Sequence, residues 1–229
     1  MVEDLVHQLR NEAKKLVQAT DRSPMQALWE GHADKDLYTA FLQETWHYVR
    51  YTCSTLRCAG ERMHKLGQHA GLADVLIEKS KEEHGHDFWA LSDLAALGVS
   101  EQAIRATSPS PSVAAYIAWT HYMASSPFPV AYLGVAYVLE NLAVERAGVA
   151  ADNLRKAGRI ANIDAAVSFL AGHGVSDVGH VAELENVLQS VANPVERDAI
   201  LGSAVAARLA YAGMAENLND VATQLRHAA

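Results

Sequence analysis

Strand-like alternation of apolar and polar residues is nearly absent from this chain. Apolar positions instead fall at helical spacing through long segments rich in Ala, Leu, Glu, Gln and Arg, which predicts helices almost throughout. A first helix is predicted from about Glu3 to Ala19 and is broken at Asp21-Arg-Ser-Pro24. Ser23 caps a short helix beginning at Pro24, a favoured first position. A long helix runs from Asp34 or a neighbour to about Leu66, and another from about Leu72 to Leu97, stopped by Gly98. Ser100 opens a short helix, and Thr107-Ser-Pro-Ser-Pro111 reads as a loop. A helix from about Ser112 to Ser125 leads to the corner Pro127-Phe-Pro129. The next runs from about Val130 to Ala157, with Gly158 as its stop; another starts at Asn162 or Asp164, and Pro194 opens the last. The sum is an all-α bundle of about seven or eight helices with short connections. No linker or low-complexity stretch divides the chain, which predicts one domain over residues 1–229.

Composition narrows the function. Half of the residues are hydrophobic, ample for a core, and the net charge of −8 argues against a general nucleic-acid binder, which needs a basic surface. No apolar run is long enough for a membrane span. The acidic, amphipathic start Met-Val-Glu-Asp-Leu lacks the features of a signal peptide, so a cytoplasmic location is expected. Cys53 and Cys58 lie five residues apart, a spacing that fits neither zinc nor redox pairs, and they read as two small thiols on one helix. Helical domains of this size often form homodimers, although no heptad seam stands out.

The candidate chemistry lies in three places. His173-Gly-Val-Ser-Asp177-Val-Gly-His180 puts two imidazoles and a carboxylate at offsets of four and seven residues, which return to one helical stripe. Imidazole and carboxylate together suit iron, manganese or zinc. Glu83-His-Gly-His86 places a Glu-x-x-His pair on one helix face, a recurrent ligand pair in carboxylate-bridged dimetal bundles. Glu140 closes the run Tyr132-Leu-Gly-Val-Ala-Tyr-Val-Leu, where an unpaired core carboxylate would be costly and a metal would satisfy it. Together, Glu83, His86, Glu140, His173, Asp177 and His180 supply three imidazoles and three carboxylates, enough for two iron ions with positions left for oxygen and substrate. Glu44-Thr-Trp-His47 is a second Glu-x-x-His. With Trp46, Tyr48, Tyr51 and Tyr137, these residues are candidates to line a pocket or support the ligands, or simply to pack as an aromatic face.

These motifs and their order resemble the haem-oxygenase-like diiron oxidases, whose fold is shared with the TenA thiaminases and the pyrroloquinoline-quinone synthases. The resemblance covers most of the chain. It rests on Glu83-x-x-His86 followed by Asp-Phe-Trp-Ala-Leu-Ser-Asp-Leu-Ala-Ala-Leu-Gly98, then Glu140, then His173-x-x-x-Asp177-x-x-His180. It implies that these six residues bind two ferrous ions. It further implies that the iron centre activates dioxygen to oxidise a small organic substrate such as an amino acid or a fatty acid. Family members perform decarboxylation, carbon–carbon cleavage or nitrogen oxidation. A ferritin-like bundle would use Glu44, Glu83-x-x-His86, Glu140 and Asp177-x-x-His180, but it leaves His173 superfluous and the last acid is Asp rather than Glu. The alternative within the same fold is a TenA-like hydrolase or ligand-binding protein with no metal. That reading requires a cysteine nucleophile, which neither Cys53 nor Cys58 clearly matches.

Overall fold

A computed structural model describes residues 4–228, with the side chains of 175–178 and 228 outside the described part. The chain starts with α1 (Leu5–Thr20), α2 (Gln26–Trp29), α3 (Lys35–Val49), α4 (Thr52–Leu66), α5 (Ala70–Glu82) and α6 (His86–Ala96). It continues with α7 (Glu101–Arg105), α8 (Pro111–Ser125), α9 (Tyr132–Ala157), α10 (Ser168–Gln189) and α11 (Pro194–Ala228). Single 3-10 turns at Pro129–Ala131 and Ile163–Ala165 lead into α9 and α10. Among the described residues there is no strand.

Most ends follow the local chemistry. Asp4, Asp34, Ser100 and Ser110 cap α1, α3, α7 and α8, each accepting a hydrogen bond from a backbone N–H of the first turn. Pro111 and Pro194 occupy first helical positions. Gly158 ends α9 in the left-handed conformation. Glu3, the expected start of α1, lies outside the described residues.

The structure corrects two expected helices, and both breaks raise the helix count above seven or eight. The segment read as one helix to Leu66 divides at Arg50 and Tyr51. There the Tyr51 N–H turns to the Tyr48 carbonyl (3.0 Å), and the hydroxyls of Ser54 and Thr55 both donate to the Tyr51 carbonyl (2.9 and 2.7 Å) at the start of α4. The segment from Leu72 to Leu97 divides at 83–85, where Gly85 adopts φ 98° and lets α6 leave in a new direction.

The buried apolar side chains form one cluster. Its axis is α9, which packs against α1, α2, α10 and α11, while α11 also packs against α1, α3 and α8. Two approaches depend on missing side chains. A Cβ on Gly134 of α9 would overlap the Ile200 carbonyl of α11, and one on Gly174 of α10 would lie 2.5 Å from the Gly148 backbone of α9. Backbone cannot move aside as a side-chain tip can, so these glycines set the interhelical spacing on both sides of α9.

Ion pairs tie the same helices at the surface. The buried Glu12 carboxylate on α1 accepts from Arg208 of α11 (2.7 Å) and from Lys15 (2.5 Å). Burial alone would raise its pKa, but the Lys15 and Arg208 hydrogen bonds and charges outweigh it and hold the group below its ordinary value.

Two outcomes follow. Gly134→Ala is expected to lower unfolding stability by about 2 kcal/mol or more in urea titration, because α9 and α11 must separate. Glu12 has a lower pKa folded than unfolded. Its stabilisation is therefore complete above the unfolded value of about 4.3 and is lost as pH falls through the lower folded value. A melting-temperature profile should show that acid-side loss in the native protein and a shallower one in Glu12→Gln.

Candidate metal centre

The α5–α6 break brings Glu83 and His86 together differently from the expected single helix face. Glu83 caps the end of α5 and His86 is the first residue of α6, so the turn between them folds the side chains toward each other; His86 Nδ1 lies 2.9 Å from Glu83 Oε2. Trp89, one turn later, stacks on the His86 ring at 4.1 Å between centroids. His84 is exposed.

His173 approaches the pair from α10. Its Nδ1 lies 2.8 Å from the Phe169 carbonyl, which fixes the ring as an Nδ1–H donor and leaves Nε2 as the free lone pair. The ring also packs against those of Phe169, Trp89 and His86. One ligand atom from each of Glu83, His86 and His173 lies within 4.8 Å of the others, so the three could hold a metal ion. Two imidazoles and one carboxylate form the facial set preferred by non-haem ferrous iron. Protonation also suits ligation. Burial lowers the pKa of His173 and keeps the imidazole neutral. Burial raises that of Glu83, but the His86 hydrogen bond and the nearby Lys79 ammonium help to bring it below its ordinary value.

Two residues with no ligand role hold this geometry. Asp93, fully buried on α6, accepts from the backbone N–H groups of Ser168 and Phe169 (both 2.9 Å) and from the Ser168 hydroxyl (2.6 Å). It thus caps α10, whose own N-terminal residue provides no side-chain cap. Gly172 leaves room for Trp89: a Cβ there would lie 2.5 Å from the indole.

Glu140 and His180 form a neighbouring pair. Glu140 on α9 faces His180 Nδ1 at 3.3 Å through Oε2 and the Lys79 ammonium at 3.7 Å through Oε1. His180 Nε2 lies 3.6 Å from Glu82. Asp177 lies in α10 between His173 and His180, and its side chain is outside the described residues.

Glu83, Glu140, His173 and Lys79 line a partly open cavity of about 130 Å³. The rest of its wall is mainly apolar and aromatic, with Phe41, Phe169, Tyr48, Tyr116, Tyr132 and Tyr211 prominent. Tyr48 packs edge-on against Tyr116 and Tyr211. Burial pushes the Tyr48 hydroxyl up to about 12 and raises those of Tyr116, Tyr132 and Tyr211, so the wall presents neutral phenols.

Of the expected pocket residues, only Tyr48 lines this cavity. Both Glu44 oxygens accept from the Ser110 backbone N–H (3.2 and 3.1 Å), so its carboxylate serves the start of α8. His47 Nε2 pairs with Thr107 Oγ1 at 2.9 Å. The Tyr137 hydroxyl donates to Glu185 at 2.7 Å. Tyr51 packs against His121 and lies beneath Arg50, which also covers Trp46. Glu44, His47 Nε2 and the Tyr137 hydroxyl thus meet polar partners on other elements.

Sequence reading missed Asp93 and Lys79. Asp93 carried a signal, a lone acid within Ala-Leu-Ser-Asp-Leu-Ala-Ala-Leu. Lys79 carried none, since it lies among other charged residues of α5.

Similar folds are known. A domain with a haem-oxygenase-like fold from Shewanella denitrificans OS217 superposes with a TM-score of 0.81 at 21% identity, over 99% of this chain and 95% of that one. A TenA homologue from Pseudomonas syringae pv. tomato DC3000 gives 0.77 at 15% identity, over 93% and 92%. A CADD-like protein of unknown function from Nostoc punctiforme PCC 73102 gives 0.67 at 17%, over 95% and 98%. No curated protein matches the sequence. The sequence profile described as "iron-containing redox enzyme" matches residues 39–212, from α3 into α11 and across every candidate ligand. The chain therefore belongs to this family of iron-containing redox enzymes and has their haem-oxygenase-like fold.

Proposed function

We propose that the protein is a non-haem iron oxidoreductase that activates dioxygen to oxidise a small organic substrate held in the α9 cavity. Glu83, His86 and His173 hold one ferrous ion, and Glu140, Asp177 and His180 are the ligands of a second. The observation that carries this reading is the convergence of two imidazoles and one carboxylate, of which His173 and Glu83 line a mainly apolar cavity. Bound iron supplies the dioxygen chemistry; the protein supplies placement and the exclusion of water. Phe169 orients His173 through its carbonyl, and Asp93 fixes Phe169 by capping α10. The aromatic wall favours the apolar part of a small acid or amino acid over a large polar substrate.

The competing reading is a metal-independent hydrolase, as several of the similar folds are TenA homologues. It requires a reactive thiolate. Cys58 is exposed, and the half-buried Cys53 has a thiol whose pKa is raised by burial and by the negative charges of Glu83 and Asp87. This is the opposite of nucleophile activation.

Anaerobically purified apoprotein is expected to take up ferrous iron and then consume oxygen when a substrate panel of fatty acids and amino acids is supplied. His173→Ala should lower iron affinity by more than about a hundredfold while leaving the far-ultraviolet circular dichroism helical. A protein that retains no iron, and whose activity survives chelators but not Cys53→Ser, would be a hydrolase instead.

Asp93→Ala tests the positioning argument. It should cost about 1–2 kcal/mol of stability through the lost cap and weaken iron binding about tenfold or more, with no ligand removed. Asp93→Asn keeps one acceptor oxygen and should recover part of both losses. Unchanged iron affinity in a folded Asp93→Ala protein would assign Asp93 to stability alone.

A further inference from the structure

Tyr116 of α8 and Tyr132, the first residue of α9, set two phenols in the cavity wall. Both residues are buried, at 8% and 4% exposure. Neither hydroxyl bonds to a described residue, and neither is among the polar atoms shut away without a partner, so both open onto the cavity they line. The other donors of the wall are committed. Lys79 pairs with Glu140, Arg146 donates twice to Asp21 (2.9 and 2.6 Å), and the Trp29 indole N–H donates to Thr20 (3.3 Å). The hydroxyls of Tyr48 and Tyr211 interact with each other. Among the described wall residues, Tyr116, Tyr132 and the smaller Thr52 hydroxyl remain. Tyr116 packs edge-on against Tyr48, 5.3 Å between ring centroids, and lies within electrostatic reach of Tyr132 and Glu83. Tyr132 is likewise within reach of Glu83 and Glu140. Burial raises both phenols above their ordinary range, so each stays an O–H donor at neutral pH.

We propose that Tyr116 and Tyr132 clamp the carboxylate of the substrate, and that they make the cavity selective for straight-chain organic acids over alcohols of the same length. This rests on the reading of the cavity as the substrate site. A carboxylate accepts hydrogen bonds and offers none, which matches a wall whose uncommitted groups are hydroxyls. Burying it is costly unless its oxygens are bonded, and hydrogen bonds to an ionised group are stronger than those to a neutral one. Two phenols answer its two oxygens, whereas an alcohol presents a single, uncharged oxygen. The rest of the wall suits the chain of such an acid: it is mainly apolar and follows α9 from Tyr132 to Ala147, about 22 Å.

The test is calorimetric binding of straight-chain carboxylates from butanoate to decanoate, and of the alcohols of the same lengths, to the full-length protein. It is run metal-free and after anaerobic loading with ferrous ion, and it needs no turnover. The metal-free native protein should bind at least one carboxylate about tenfold or more tightly than the matched alcohol. Tyr116→Phe and Tyr132→Phe keep the rings and remove the hydroxyls. Each should cut that preference by about threefold or more, and the double variant should abolish it with the helical circular dichroism unchanged. A general loss of packing would weaken acid and alcohol alike and leave their ratio in place. A preference that survives in the folded double variant would overturn the proposal. So would a native protein that binds no carboxylate, or that binds acid and alcohol equally. A preference that appears only with iron bound, and is the same in the Phe variants, would overturn it too and assign the carboxylate to the metal. Carboxylate binding that depends on the phenols in a protein that takes up no iron would keep the clamp and remove the iron reading.

Discussion

A single carboxylate joins the fold to the chemistry. Helix α10 starts after a 3-10 turn without a side-chain cap of its own, and the N–H of its buried second residue, Phe169, would otherwise be unpaired. Asp93 answers it, and the Ser168 N–H, from α6. That bond sets where α10 begins and where the Phe169 carbonyl points, and so which nitrogen of His173 carries the proton. His86 opens the helix that carries Asp93. The cap thus locks together the two helices that supply the two imidazoles, and their separation does not depend on a metal to define it.

The α9–α10 contact works in the same direction. Gly148 and Gly174 let the two backbones approach with no side chain between them, directly beside His173. Six residues later His180 meets Glu140 across the same interface. Two groups of side chains therefore meet beside α10: Glu83 and His86 with His173 near the Asp93 cap, and Glu140 with His180 and Lys79. A buried carboxylate must be neutralised by some cation. Around Glu140 the chain supplies that cation itself, whereas the Glu83 half offers a converging donor set.

Much of this was legible in the sequence because helical period, caps and ligand spacing are local properties. Asp34, Ser100, Pro111, Gly158 and Pro194 mark helix ends where their chemistry demands. His173 and His180 share a stripe for the reason their spacing implies. The breaks at Arg50 and Glu83 were less legible. The first has neither glycine nor proline to signal it. The second was signalled by Gly85 but overridden by strong helical patterning on both sides. Glu44-x-x-His47 shows the limit of motif reading: the same spacing as Glu83-x-x-His86 serves the start of α8 and a bond to Thr107, because tertiary partners decide what a carboxylate and an imidazole meet.

Lys79 illustrates the converse. In sequence it is one lysine in Glu78-Lys-Ser-Lys-Glu-Glu, a run that would ordinarily face water. The end of α5 at Glu82 determines otherwise. With the helix stopped there, Glu83 turns inward to His86, Lys79 one turn earlier lies on that same inward side, and Lys81 remains exposed and pairs with Glu78. The placement of a ligand and the burial of a lysine are thus two results of one chain reversal, and Gly85 makes that reversal possible. A helix that continued through residues 83–85 would present Glu83 and His86 along one helix face instead of across a turn. The same turn that pairs Glu83 with His86 thus accompanies the burial of Lys79 beside Glu140.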